Sequence, residues 1–238
     1  MLVYGATGKA GNLVVERALS EGWTVAAFVR NPDKVPEALK SKVKIIQGDL
    51  NNAETIKSAV QSTRPNAIVD ASSVLPFGHA KGQPANNADR GILVKATVEA
   101  LESGGRLNDC VLLIVGGQLL PEPNGKINSW PVWGLAMLLK HVIARSMWRG
   151  AEESVRWMFE DTPREFRFIY ARMGHMVVAP SAGRLQPEPT LNNIQHGKAS
   201  FVDVATAFVQ LAGDESRKWE RQAIYFNYVN DKSTESQH

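Results

Sequence analysis

Three glycines spaced three apart, Gly5, Gly8 and Gly11, stand between a strand-like run and a helix-like run and constrain this chain more than any other feature. Before them, Leu2 to Tyr4 reads as the inner part of a buried strand. After them, Asn12 to Ser20 carries Leu13, Val14, Ala18 and Leu19 at helical spacing. A strand that passes through glycines into a helix is how a doubly wound sheet brings backbone N–H groups and a helix N-terminus up to a diphosphate. Gly5 lets the chain turn sharply off the strand. Gly8 leaves no side chain between backbone and phosphate, and Gly11 lets the helix sit close to the sheet. Thr7 adds a hydroxyl and Lys9 a positive charge, both suited to phosphate oxygens. Ala6 and Ala10 complete the candidate turn. A tight turn without a ligand is the competing reading, and the strand before it and the helix after it favour nucleotide binding.

The rest of the chain repeats the strand-then-helix alternation. Thr24 to Arg30 reads as a second strand that ends in the turn signal Asn31-Pro32-Asp33. In a dinucleotide fold this end lies beside the adenosine ribose, where an acid binds the hydroxyls and an arginine faces a 2′-phosphate. Arg30 stands there with no acid before Asp33, so Arg30, with Lys9, points to NADP(H) as the cofactor. A solvated arginine at a strand end is the alternative. Val43 to Gly48 is a third strand, followed by Asp49-Leu50. Asn51 or Asn52 is placed to cap a helix over Ala53 to Ser62. Asn66 to Ala71 is a fourth strand running into Ser72-Ser73, and Ala71, Ser72 and Ser73 are small enough to let a nucleotide lie across the strand ends. Leu75 to Asp89 is rich in Gly, Pro and Asn and reads as a substrate-side loop, with a simply mobile loop as the alternative. His79 within it reads as a surface residue. A helix from about Arg90 to Glu102 ends at Ser103-Gly104-Gly105. Cys110 to Val115 is uniformly apolar, as expected of a central parallel strand, and ends in Gly116-Gly117.

Length and composition limit the function classes. The 238 residues suit one sizeable α/β domain, and no linker divides them. With 44% hydrophobic and 21% charged residues the composition is that of a soluble globular protein. The net charge of +3 comes without a Lys/Arg block, so no nucleic-acid partner is expected. Cys110 is the one cysteine and reads as a buried, inert thiol. No Cys/His spacing suggests a metal. The longest apolar stretch, Pro131 to Ala144, is broken by Lys140 and His141 and is too short to span a bilayer. Strand-like sequence at the first residue argues against a secretory signal and leaves open a few earlier residues of the first strand. A cytoplasmic protein is expected, off the membrane, monomeric or homodimeric.

The turn Gly5-Ala-Thr-Gly-Lys-Ala-Gly11 resembles that of the short-chain dehydrogenase/reductase superfamily, and its atypical NmrA-like, NAD(P)H-binding flavin-reductase-like branch in particular. The resemblance covers nearly the whole chain. It implies a doubly wound Rossmann α/β fold with a parallel sheet: one NAD(P)-binding domain over residues 1–238, with a small C-terminal substrate-side region and substrate-side elements at about 118–150 and 174–200. It also implies that Asp49 and Leu50 contact the adenine. Arg149 to Glu153 is similar to the branch's Lys-x-x-x-Glu segment. Phe166 to Arg172, with Met173-Gly174, is similar to a strand ending in Arg-Pro-Gly. Ala199 to Ala205 is similar to its Ile-Ser-x-x-Asp-Val-Ala segment.

The chain departs from the superfamily's catalytic pattern. Gly116 and Gly117 replace the serine, and no tyrosine occurs between Tyr4 and Tyr170 to head a Tyr-x-x-x-Lys pair. Tyr228 and Lys232 have that spacing in the C-terminal tail, away from the required place. Hydride can still pass to a flavin, quinone or other small acceptor that stacks on a nicotinamide, with solvent supplying the proton. Trp130, Trp133, Met137, Leu138, Leu139, Met147 and Trp148 are candidates for an apolar wall, or for a core-facing helix. Lys140, His141 and Arg149 are the weak catalytic candidates, with a solvated helix face as the alternative. The leading expectation is an NADPH-dependent reductase, and the rival is a redox sensor that binds NADP(H) without turnover. A third reading makes Pro131 to Trp148 a partner or membrane-surface helix. Phe201 to Leu211 reads as an amphipathic helix capped by Ser200, and Ala223 to Tyr228 as a last strand. Pro180 to Asn193 reads as an insertion that closes over the substrate side.

Overall fold

A computed structural model describes residues 1–72, 90–117, 154–189 and 198–229. Its frame is an eight-stranded sheet. The strands are β1 (Leu2–Tyr4), β2 (Ala26–Val29), β3 (Lys44–Gln47), β4 (Ala67–Asp70), β5 (Val111–Gly117), β6 (Arg167–Met173), β8 (Leu185–Glu188) and β10 (Gln222–Tyr228). Their order is β3-β2-β1-β4-β5-β6-β10-β8. Every neighbouring pair is parallel except β10 with β8. From β1 the chain winds outward to β2 and β3, then returns to the other side of β1 at β4. That reversal is the switch point where the crevice of an open α/β sheet forms. Two short strands, β7 (Met176–Val177) and β9 (Ala199–Ser200), pair separately in parallel.

Helices cover both faces. On one side α1 (Lys9–Ser20) packs against α6 (Phe201–Ala212) over Val3, Val69, Leu113 and Ile169. On the other, α3 (Ala53–Thr63), α4 (Arg90–Ser103) and α5 (residues 154–160) cover Leu2, Tyr4, Phe28, Leu112 and Phe168. The starts of α3 and α6 follow from side chains that stand in for missing backbone partners. Asn52 Oδ1 accepts from the Glu54 and Thr55 amides at 3.0 and 3.4 Å, which decides between the two candidate caps. Ser200 Oγ accepts from Val202 N at 3.2 Å, as the sequence predicts. Asp203, one turn into α6, ties down the preceding segment. It accepts from Ser181 Oγ at 2.5 Å, Ala182 N at 2.9 Å and Tyr228 Oη at 2.8 Å.

Two expectations change. Part of Pro180 to Asn193 is sheet rather than insertion: Leu185–Glu188 forms the antiparallel edge strand β8, with Pro187 opposite Phe226, and residues 190–193 lie outside the described residues. Proline is compatible with a strand only at such an edge, so its presence hid the strand. Asn31 to Asp33 is more than a turn. Asn31 Oδ1 accepts from Asp33 N at 2.9 Å and opens a 3-10 turn, Pro32–Lys34, which leads into α2 (Glu37–Lys40). His79, the loop from Leu75, and the tryptophan-rich stretch Ile127 to Trp148 lie outside the described residues.

Candidate functional site

The glycine turn closes on itself through its backbone. Gly5 sits at φ +70°, a left-handed conformation that side chains rarely adopt. Gly8 N donates to Gly5 O at 2.9 Å. A Cβ on Gly11 would lie inside van der Waals contact of the Gly5 carbonyl, and one on Gly5 would come within 2.9 Å of Ser72 Cα. So Gly5 and Gly11 are required where α1, β1 and the end of β4 meet. Gly8 is exposed, and as N-cap of α1 it offers no capping side chain. The first turn of α1 holds no acid. Its orphan N–H groups and the positive end of the helix therefore face outward, which suits an anion. Thr7 and Lys9 are exposed beside them, Ala10 is half-buried, and Ala6 is buried in the core.

The other expected cofactor residues come to the same end of the sheet, with one outside the described residues. Tyr4 pairs with Phe28, so Arg30, two residues further along β2, ends beside the turn that follows β1. Arg30 is exposed. Asp49 is exposed in the loop before α3, where its Oδ1 accepts from Asn51 N at 2.9 Å. Leu50 packs partly buried against the α3 and α4 side of the core. Ala71 and Ser72 are half-buried at the end of β4, and Ser73 lies outside the described residues. Lys140, His141 and Arg149, the weak catalytic candidates, also lie outside them.

The residues the sequence reading passed over lie one layer below. The ring and hydroxyl of Tyr170 lie where a Cβ on Gly116, the position read in the sequence as replacing the serine, would go. A serine here would have to displace a buried ring. Around Tyr170 are Asp70 and Arg90, paired at 3.5 Å between Oδ2 and Nη2, and Arg172, which hydrogen-bonds the Tyr225 hydroxyl and lies 4.7 Å from that ring's centroid. All are buried. The available signal was an aspartate ending the apolar run Ala67-Ile-Val, and Tyr170 and Arg172 alternating on one face of β6. Burial pushes the Cys110 thiol up to about 12, consistent with the expected inert residue. Among the described residues no His, Cys, Asp or Glu group is placed to hold a metal, and no helix is long and apolar enough to cross a membrane.

Residues 5–215 match the family described as NAD(P)H-binding, from the glycine turn through α6. The chain belongs to the NAD(P)H-binding family. The fold is shared widely with solved structures. A short-chain dehydrogenase/reductase from Veillonella parvula, solved in complex with NADP, superposes with a TM-score of 0.70 at 15% identity, covering 96% of this chain and 94% of that one. ChuY, an anaerobillin reductase from Escherichia coli O157:H7, gives 0.65 at 18% identity, covering 96% and 97%. In sequence, the photosystem II assembly factor Ycf39 of Guillardia theta is 35% identical over 96 residues, which is 40% of this chain and 30% of that protein. The chain spans under a third of the length of the first curated relatives it matches. As an NAD(P)H-binding protein of Rossmann type, it carries its glycine turn where the family match begins.

Proposed function

We propose that this chain is an NADPH-dependent reductase that passes hydride to a flavin, a quinone or another small acceptor without a Ser-Tyr-Lys triad. The observation that carries the reading is the uncapped start of α1 above a turn that only glycine can make. The glycine turn and the first N–H groups of α1 hold the diphosphate, Ala71 and Ser72 line the groove, and Asp49 and Leu50 border the adenine. Arg30 and Lys9, exposed at that end of the sheet, face the 2′-phosphate and select NADP over NAD. Bound NADPH would supply the hydride. The chain's own part is to hold cofactor and acceptor together, which is how positioning alone accelerates a reaction. The reading puts the protein in the cytoplasm, as a monomer or homodimer free of membrane and nucleic acid. Light scattering and liposome flotation check the assembly and membrane parts. The main test is calorimetric binding of NADPH and NADH, followed by NADPH oxidation with flavin, quinone and carbonyl acceptors. Tight NADPH binding with no oxidation by any acceptor removes the enzyme.

A second reading then takes its place: a redox sensor that binds NADP(H) and reports through a partner. The Tyr170 ring against Gly116 supports it, because that contact crowds any side chain at the position read as replacing the superfamily's serine. The likeness to an assembly factor points the same way. This reading expects partner capture that differs between NADP+ and NADPH, and equal capture in both states counts against it.

A further inference from the structure

One row of side chains crosses the α4 face of the sheet in register: Phe28, Tyr4, Asp70, Ile114 and Tyr170. Asp70 and Tyr170, with Arg90 at the first residue of α4, make a buried polar group inside that otherwise apolar face. Asp70 is 0% exposed, Tyr170 1% and Arg90 6%. Asp70 is held firmly, since its Oδ1 accepts from Ser72 N at 3.0 Å and from Ser72 Oγ at 2.5 Å. Its Oδ2 meets Arg90 Nη2 at 3.5 Å, an ion pair without a hydrogen bond. Among the described residues, Arg90 Nε, Nη1 and Nη2 and the Tyr170 hydroxyl therefore have no hydrogen-bond acceptor.

Among the described residues this group is rich in donors: the Arg90 and Arg172 guanidinium groups both bear on Tyr170, and Arg90 pairs with Asp70. Burial holds the Tyr170 hydroxyl above the ordinary phenol range despite both arginines, so it is an O–H donor at neutral pH. Buried donors without acceptors are costly, and native structures rarely keep them without a use. Fixed donors in a low-dielectric setting stabilise a negative oxygen. The group also adjoins the glycine turn: Ser72, which grips Asp70, is the residue that leaves no room for a Cβ on Gly5.

We propose that Arg90 and the Tyr170 hydroxyl form a subsite for an anionic oxygen, a carboxylate or enolate, on the small molecule this protein acts on. Naming that molecule the hydride acceptor rests on the reductase reading; the anion subsite rests on the donors themselves. Arg90 supplies the charge and a fork of N–H groups, and Tyr170 supplies a neutral donor from the neighbouring strand. Asp70, fixed by Ser72, sets the position of Arg90.

The test is calorimetric titration of the full chain with benzoate, and with benzamide as its neutral counterpart, in the presence and absence of saturating NADP+. Benzoate is expected to bind and benzamide not to. Tyr170→Phe should weaken benzoate about tenfold and Arg90→Gln by more. Tyr170→Phe should also leave the melting temperature unchanged or raise it, because it removes a buried hydroxyl that has no partner. A purely structural Tyr170 predicts a lower melting temperature and no change in anion affinity. Benzoate that fails to bind the wild type, or binds Tyr170→Phe equally well, overturns the subsite. If Arg90→Gln does not fold, Tyr170→Phe decides alone. Loss of NADP+ binding with benzoate retained would sink the cofactor reading and leave the subsite standing. The reverse result would sink the subsite only.

Discussion

The two faces of the sheet are built from different materials. Toward α1 and α6 the inner strands present Val3, Ala27, Val29, Val69, Leu113, Ile169 and Ala171, an aliphatic surface without a polar atom to satisfy. Toward α3 and α4 the same strands present Tyr4, Phe28, Asp70, Ile114, Phe168, Tyr170 and Arg172. Tyr4 and Phe28 meet edge to face at 5.4 Å, and Tyr4 Oη lies 3.3 Å from Thr97 Oγ1. The first face has nothing to do but exclude water and bring α1 close. The second gives up part of that apolar burial to hold charge and hydroxyl groups under the ends of β4 to β6. Stability and chemistry are thus divided between opposite sides of one sheet.

That division can be broken first at Gly11, on the aliphatic side. A Gly11→Val change would drive a branched side chain into the Gly5 carbonyl, which has no flexible end to yield. The expected loss is about 3 kcal/mol or more in urea unfolding, with loss of NADPH binding. On the opposite face Gly116→Ala should cost less, about 1–3 kcal/mol, because the obstacle is a ring that can swing. Tyr170→Leu in the same chain should recover part of that loss, and strictly additive losses would show that the ring is not the obstacle.

Cys110 gives a smaller effect that depends on pH. Its thiol stays neutral in the folded protein up to about 12, whereas the unfolded thiol ionises near its ordinary value of 9.0. Above that value the unfolded state holds fewer protons, so stability should fall as pH rises, by at most about 1.4 kcal/mol per pH unit from this group. Comparing Cys110→Ala with the wild type between pH 8 and pH 10.5 isolates it. The same thiol should resist thiol reagents at pH 8 until the protein unfolds. Last, Arg30→Ala should leave the melting temperature unchanged, because the side chain is exposed. It should lower the preference for NADPH over NADH by about tenfold. An unaltered preference would take the arginine out of cofactor selection.

The glycine turn and the strands around it were legible because their signals are local. Gly5, Gly8 and Gly11 lie within seven residues, and the strand before them and the helix after them have distinct periods. Ser200 was legible as a cap for the same reason, and the other cap was narrowed to Asn51 or Asn52. Asp70, Arg90 and Tyr170 were not, since they are far apart in the chain and each taken alone resembles an ordinary strand or helix residue. Edge strand β8 was hidden by its proline, whose meaning depends on having an open side.

The chain's order of apolar periods and glycines was by itself enough to call for a Rossmann sheet with a phosphate-ready turn, because period and backbone freedom are properties of neighbouring residues. Only the tertiary structure could decide that Tyr170 fills the place over Gly116 and that Arg90 reaches Asp70. Those contacts depend on strand register and on which helix covers which face, and both are set by packing across the whole sheet.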